Sequence, residues 1–70
     1  MINAFTFATR FRGMNIEVEA EVERATLGRF VCSKRLYLRG TEKRADWLLT
    51  NASIKQEAQL DHEIIAASYS

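Results

Sequence analysis

Four glutamates occupy alternate positions in the segment IEVEAEVE, and their spacing raises the question of a shared task. Alternate residues of a strand share one face, so these carboxylates form a row about 6.5–7 Å apart, whereas a metal ion needs ligands that converge on a point. We therefore expect no metal here. Two readings stay open: a docking surface for a basic protein, or a solvated face balanced by nearby arginines. The candidate interface residues are Glu17, Glu19, Glu21 and Glu23.

The middle of the chain is strongly basic. Residues 24–44 carry seven lysines or arginines and one glutamate, although the net charge of the whole chain is +1. We predict that a helix begins near residue 42, where free backbone N–H groups attract anions and the helix dipole disfavours cations. This suggests contact with an anion or a nucleic-acid backbone; alternatively, the cations balance the acidic faces or contact an acidic protein. The candidate residues are Arg35, Tyr37, Arg39, Lys43 and Arg44.

Trp47 stands in a crowded position. It precedes Leu48 and Leu49, and three consecutive bulky side chains of a helix cannot all face one core. One of the three should be partly exposed, and tryptophan is a common anchor of protein interfaces. We take Trp47 as a candidate interface residue, with an ordinary place in the core or at its rim as the alternative.

The sequence does not indicate catalysis. His62 lies between Asp61 and Glu63, and neighbouring residues of a helix point in different directions, so these three do not form a ligand set. Cys32 is predicted to be a buried thiol rather than a nucleophile. Phosphate-binding glycine loops, metal-ligand spacings and nucleophile elbows do not occur in the sequence. We therefore expect a protein that is not an enzyme and holds no cofactor and no metal.

The length of the chain limits its stability. Seventy residues form one small domain, here residues 1–70, that buries only about 60% of its unfolded surface. One cysteine allows no intrachain disulfide, so association with a second copy is the natural support, and we predict a homodimer. Without a signal-peptide pattern or an apolar stretch of about 20 residues, we expect a cytoplasmic protein with no membrane contact.

Two half-buried strands are predicted in the first third of the chain. Apolar and polar residues alternate over residues 5–11 and 16–22, as in strands with one buried face. A type II′ turn at residues 13–14 would set Phe11 opposite Ile16 and place the apolar side chains on one side. We predict a core position for the phenylalanines, although an unpaired first strand is also an edge to which another chain can add.

A third strand is predicted after the segment RATLG (24–28), which we interpret as a five-residue connection. The expected register aligns Val22 with Phe30 and Ala20 with Cys32, and it sets arginines opposite the glutamates. Lys34 would then point inward. Either its stem is buried and its ammonium reaches the sheet edge, or a bulge near residues 33–34 resets the alternation, which we favour.

The helical period begins after Gly40. Thr41 is a possible cap, and residues 42–67 contain neither glycine nor proline. We predict either one long helix over about 42–67 or two helices with a break near Asn51, because Ser53 and Gln56 have the spacing of a capping box. The fold class is then α+β, with a three-stranded antiparallel meander and a C-terminal helix on one sheet face.

In size and β-β-β-α layout the chain resembles the small accessory proteins of bacteriophages and prophages, including anti-restriction and anti-CRISPR inhibitors. The resemblance implies a protein-binding adaptor or inhibitor that blocks a host complex, and it assigns no functional residue. The layout is also similar to the arm-binding domains of tyrosine recombinases and to the plant AP2 domain, which implies a nucleic-acid-binding module. In those domains the exposed sheet face is basic, whereas here it is acidic. If nucleic acid is bound, we expect contact through the basic segment 29–44.

Overall fold

The computed structural model describes residues 1–69 and confirms the predicted fold class. Three antiparallel strands form one open sheet in the order β1-β2-β3, and two helices follow them. The elements are β1 (Ile2–Phe11), β2 (Met14–Ala25), β3 (Gly28–Leu38), α1 (Trp47–Thr50) and α2 (Ile54–Ala67).

The first hairpin turns one residue earlier than predicted. Phe11 pairs with Met14, so the two turn residues are Arg12 and Gly13, with positive φ values of 51° and 82°. Positive φ at both central positions defines a type I′ turn, whose twist suits a hairpin. The predicted register, with Phe11 opposite Ile16, is therefore wrong by two residues. Because a shift of two keeps every side chain on its face, the predicted core side is correct.

The second hairpin also differs from its predicted register. Ala25 pairs with Gly28, so the connection is a two-residue turn rather than a five-residue one. This shortening moves the register by one residue and turns Phe30 and Cys32 outward, where both are exposed. The alternation recovers because Cys32 is an extra residue between the pairs Val22–Val31 and Glu21–Ser33. The predicted bulge is thus present, but it lies at Cys32, and the prediction that Cys32 is buried is wrong.

Lys34 points toward the helical layer with its stem buried, so the form that we favour from the sequence, in which a bulge turns this side chain away from the core, is wrong. It pairs with Ala20 of β2, and its side chain is only 14% exposed. Its ammonium lies 2.6 Å from Asp61 Oδ1 and 2.9 Å from Glu57 Oε1, both on α2. Burial lowers the pKa of Lys34, but hydrogen bonds to Asp61 and Glu57, and their charges, outweigh burial and raise the pKa above its ordinary value. The ion pairs therefore join β3 to α2.

The segment after β3 is not a helix, so the predicted helix start near residue 42 is wrong. Lys43 and Ala45 form backbone hydrogen bonds with β3: Leu38 N donates to Lys43 O (3.0 Å), and Ala45 N donates to Leu36 O (2.7 Å). Thr41 caps no helix; its hydroxyl donates to Leu38 O and accepts from Lys43 N. Residues 43–45 are extended rather than helical because their backbone groups form hydrogen bonds with the edge of β3.

The helical region divides in two near Asn51, which confirms the second of the predicted forms. Ser53 caps α2: its hydroxyl accepts from Gln56 N (3.1 Å), and its own N–H donates to Gln56 Oε1 (2.9 Å). This capping box satisfies two of the free N–H groups at the helix start.

The hydrophobic core lies between the helices and one face of the sheet. α2 packs over β2 and β3, and the side chains of β2 that face it are fully buried. Phe5 and Phe7 of β1 are partly buried and pack against this core. The ten buried core residues are Phe11, Ile16, Val18, Ala20, Val22, Leu36, Ala45, Leu48, Leu60 and Ile64. Among the described helices, none is long and apolar enough to cross a membrane.

Candidate functional site

The sheet face opposite the helices, hereafter the outer face, is open to solvent in the part of the chain that the structure describes. Strand pairing assigns its side chains, because directly opposed residues share a face. The outer face comprises Ile2, Ala4, Thr6, Ala8 and Arg10 of β1, Glu17, Glu19, Glu21 and Glu23 of β2, and Phe30, Ser33, Arg35 and Tyr37 of β3. The four glutamates thus run down the central strand as predicted.

Three of these glutamates are held by neighbours. Glu17 accepts a hydrogen bond from Gly40 N (3.1 Å), Glu21 accepts from the hydroxyl of Ser33 (2.7 Å), and Glu19 forms an ion pair with Arg35. Glu23 is exposed and makes no hydrogen bond or ion pair within residues 1–69. Three of the four carboxylates are therefore held in place before a partner binds, and the carboxylate of Glu23 is available for new contacts.

Two of the arginines that we expect to pair with this row contact the ends of the helices instead. Arg12 donates to Leu48 O (2.8 Å) at the last turn of α1. Arg29 donates to Ser68 O (2.9 Å) and stacks on the ring of Tyr69, 3.7 Å from its centroid. Carbonyl groups at helix C-termini carry partial negative charge, which attracts these cations. Of Arg12, Arg29 and Arg35, it is Arg35 that forms the predicted ion pair with the row, so the row keeps much of its negative charge.

The candidate anion-binding residues are brought together only in part. Tyr37 and Arg44 lie side by side, with the guanidinium 5.5 Å from the ring centroid. Arg35 is on the same face, two residues from Tyr37. Arg39 reaches toward Thr9 O (3.5 Å) at the end of the sheet, and the side chain of Lys43 is exposed.

The charge around Tyr37 and Arg44 does not suit a phosphate. Asp46 forms an ion pair with Arg44, and Glu19 forms one with Arg35. The groove beside them, of about 540 Å³, is lined by Thr6, Glu17, Glu19, Tyr37, Thr41, Glu42 and Arg44. Three carboxylates and one guanidinium give it a net negative character, which repels a nucleic-acid backbone.

Apolar side chains lie at one end of the outer face, and sequence reasoning missed them. Ile2 and Phe30 flank Glu23 in one row across the sheet, and they are 56% and 52% exposed. Leu27, in the turn at the same end, is 94% exposed. The dipeptide Thr26-Leu27 before Gly28 could have indicated the exposed Leu27, because both side chains of a two-residue turn are exposed. We missed Phe30 because the predicted register placed it inside.

Trp47 is separate from the outer face. It is the first residue of α1, whose Leu48 is buried in the core, and it is 54% exposed. The prediction that one of the three bulky residues is partly exposed is confirmed. Because α1 belongs to the helical layer, Trp47 and the glutamates do not form one surface.

Side chains of the types that ligate metals are scattered over the part of the chain that the structure describes. Among the described residues, no three His, Cys, Asp or Glu side chains lie close enough together to hold an ion. Cys32 is exposed at the bulge of β3, where its thiol approaches only Phe30 O at 3.9 Å.

The sequence matches no protein-family model, and searches of curated proteins and of solved structures found no match.

Proposed function

We propose that this protein acts by binding another protein through its outer face, as an adaptor or an inhibitor, and that it is not an enzyme. The observation that carries the proposal is the row of glutamates on the central strand, ordered by Ser33, Arg35 and Gly40 and ending beside exposed Ile2 and Phe30. Ordered polar groups next to exposed apolar side chains are the composition of a protein interface.

The charge of this surface favours a basic partner. On the outer face, the strands carry the four glutamates Glu17, Glu19, Glu21 and Glu23 but two arginines, Arg10 and Arg35. A complementary positive surface would be steered to it, with an ionic-strength-dependent association rate. Phe30 would then anchor the contact, since a half-exposed aromatic ring at an interface contributes more binding energy than rim charges do.

Size and layout agree with the phage and prophage accessory proteins that block a host complex, and we include an inhibitor of this type in the proposal. Binding of nucleic acid is the weaker alternative. This alternative relied on a helix start near residue 42, whereas the first helix begins at Trp47. In addition, Arg35 and Arg44 are both neutralised by carboxylates. No specific observation favours it.

The proposal is tested with the purified protein as bait in a bacterial host lysate. Three baits are compared: the wild type, the triple variant Glu21→Gln/Glu23→Gln/Phe30→Ala, and the double variant Ala58→Lys/Gln59→Lys. The last variant makes the same change in net charge on the exposed side of α2. We expect a stoichiometric basic protein on the wild type and on the α2 variant, and its loss from the outer-face variant.

Two results would contradict the proposal. One is a folded wild-type bait that retains no stoichiometric protein. The other is a partner that remains bound to the outer-face variant with unchanged affinity. A parallel titration with duplex and single-stranded DNA at two salt concentrations tests the alternative, because phosphate contacts weaken steeply with salt. Salt-sensitive DNA binding by the wild type would replace the proposal with that alternative.

A further inference from the structure

The two outer strands of the sheet differ in how their edges are protected. At β3, the segment 43–46 covers the backbone of Leu36 and Leu38: Leu38 N donates to Lys43 O, Ala45 N donates to Leu36 O, and Leu36 N donates to a carboxylate oxygen of Asp46 (2.8 Å). The other half of β3 carries the bulge at Cys32 and the charged Lys34. Bulges and charges are the usual means of preventing edge-to-edge pairing.

The edge of β1 has none of these protections. The segment is ten residues long, has no bulge or proline, and carries one charged residue, Arg10, near its end. No described residue forms a backbone hydrogen bond along its outer side. Met1 and Arg24 exchange both backbone hydrogen bonds, so odd-numbered residues bond β2 and even-numbered ones point their N–H and C=O outward. The outward residues are Ile2, Ala4, Thr6, Ala8 and Arg10.

The sequence of this edge is palindromic. Residues 4–8 read Ala-Phe-Thr-Phe-Ala, with Thr6 at the centre. An antiparallel partner with the same sequence would place Thr6 opposite Thr6, Ala4 opposite Ala8 and Phe5 opposite Phe7. A twofold interface joins the same patch on both subunits, so it needs self-complementarity of this kind. Thr6 is also the midpoint of Ile2–Arg10, so this register pairs almost the whole strand without opposing two charges.

We propose that β1 pairs with β1 of a second copy of this chain about a twofold axis at Thr6. In this register the five outward residues all form hydrogen-bonded pairs, which gives about ten backbone bonds across the seam. The bonds are supplied by groups that point outward in the single chain. A six-stranded sheet results, with the helices of both copies on one side and the outer faces continuous on the other.

The partly buried phenylalanines suit this arrangement. Phe5 and Phe7 are stacked with centroids 6.0 Å apart, and they line a groove of about 520 Å³ between β1 and the end of α2. On the helical side, the groove is lined by two small residues, Ala67 at the end of α2 and its C-cap Ser68. In the proposed pair, the phenylalanines of the second copy lie directly opposite, on the same side of the sheet, where side chains of non-hydrogen-bonded pairs approach most closely. The seam therefore covers apolar surface that α2 leaves open.

This inference does not depend on the proposed function, because it uses the backbone groups at the edge of β1 rather than the side chains of the outer face. The test is sedimentation velocity of the wild type, Thr6→Lys, Thr6→Pro and the control Thr26→Lys over micromolar to submillimolar concentrations. Thr6→Lys opposes two cations at the axis. Thr6→Pro removes an outward N–H, and an edge strand tolerates proline at such a position. Thr26→Lys adds the same charge in the exposed second turn.

We expect dimers for the wild type and Thr26→Lys. For Thr6→Lys and Thr6→Pro we expect a dissociation constant at least about tenfold higher, with the far-ultraviolet circular dichroism of the wild type. A wild type that remains a monomer over the whole range overturns the proposal. The proposal is also overturned if a Thr6 variant keeps the wild-type fold and dimerises with the dissociation constant of the wild type.

Discussion

The ammonium of Lys34, on the inward side of β3, lies 2.6 Å from a carboxylate oxygen of Asp61 on α2. A lysine that points toward the core is compatible with the fold because its stem packs under α2 while Glu57 and Asp61 receive its charge at the rim. The two carboxylates are 44% and 37% exposed. The interaction is therefore a half-buried ion pair, whose attraction is offset in part by the loss of water around Lys34.

Replacement of Lys34 should separate the packing of the stem from its charge. Lys34→Met keeps an apolar stem and leaves carboxylates that water can solvate, so we expect a loss of at most about 1 kcal/mol in the free energy of unfolding. Lys34→Glu places a third carboxylate beside two others, and we expect a loss above about 2 kcal/mol. Urea unfolding monitored by circular dichroism measures both. Equal losses in the two variants would show that the charge of Lys34 has no role.

Above neutral pH, the stabilisation from Lys34 should persist until the alkaline range. Its pKa is raised in the folded protein, so its contribution is fully present below the unfolded pKa and disappears as pH rises through the folded one. The unfolded value is about 10.4. The stability difference between the wild type and Lys34→Met should be constant from neutral pH to about 9 and shrink above about 10. A difference that shrinks between pH 7 and 9 would contradict the raised pKa.

The capping box at the start of α2 gives a second stability prediction. Ser53→Ala removes the acceptor for Gln56 N and should cost about 1 kcal/mol in the free energy of unfolding. Ser53→Asp keeps an acceptor at the same place and serves as the control, with stability close to that of the wild type. Thermal and urea unfolding of the three proteins should rank them accordingly. If Ser53→Ala were as stable as Ser53→Asp, the cap would not stabilise α2.

Arg29 should stabilise the end of α2. Its guanidinium bonds Ser68 O and Oγ at 2.9 and 3.0 Å and stacks on Tyr69. Lysine keeps the charge but loses the planar, two-pronged contact, so Arg29→Lys should cost about 0.5–1.5 kcal/mol in the free energy of unfolding.

The control for this change is Arg24→Lys, since Arg24 is the strand partner of Arg29 and its exposed side chain makes no hydrogen bond in the described part of the chain. Hydrogen exchange of the last turn of α2 should quicken in Arg29→Lys alone. Equal exchange in both variants would argue against this role of Arg29.

The sequence predicted faces better than registers. Alternation identifies which side of β1 and β2 is buried, because side chains change face at every residue regardless of the partner strand. Register depends on the turns, and the pattern predicts the exact bounds of neither turn. Arg12 adopts φ 51°, a conformation that arginine seldom takes, so we placed the first turn one residue too late. The pattern predicts a longer loop at the second turn, and the resulting register places Phe30 and Cys32 on the buried face instead of the exposed one.

The candidate site was predictable where it follows from alternation and not where it follows from tertiary contacts. The glutamate row lies on one exposed face as predicted. The basic segment does not form a helix start, because backbone bonds from Leu36 and Leu38 hold residues 43–45 along β3. Likewise, Arg12 and Arg29 are directed to helix ends rather than to the glutamates. Such partners lie 36 and 39 residues away in sequence, and local patterns carry no information about them.

Disulfide formation at residue 6 tests the twofold pairing of β1 most directly. In a Cys32→Ser background, which removes the only native thiol, we predict that Thr6→Cys forms an intermolecular disulfide under mild oxidation, because the two positions face each other across the axis. Ala8→Cys alone should not crosslink, while a mixture of Ala4→Cys and Ala8→Cys proteins should form the mixed disulfide. Crosslinking of Thr6→Cys with Ala8→Cys in preference to itself, or of no pair, would contradict the pairing.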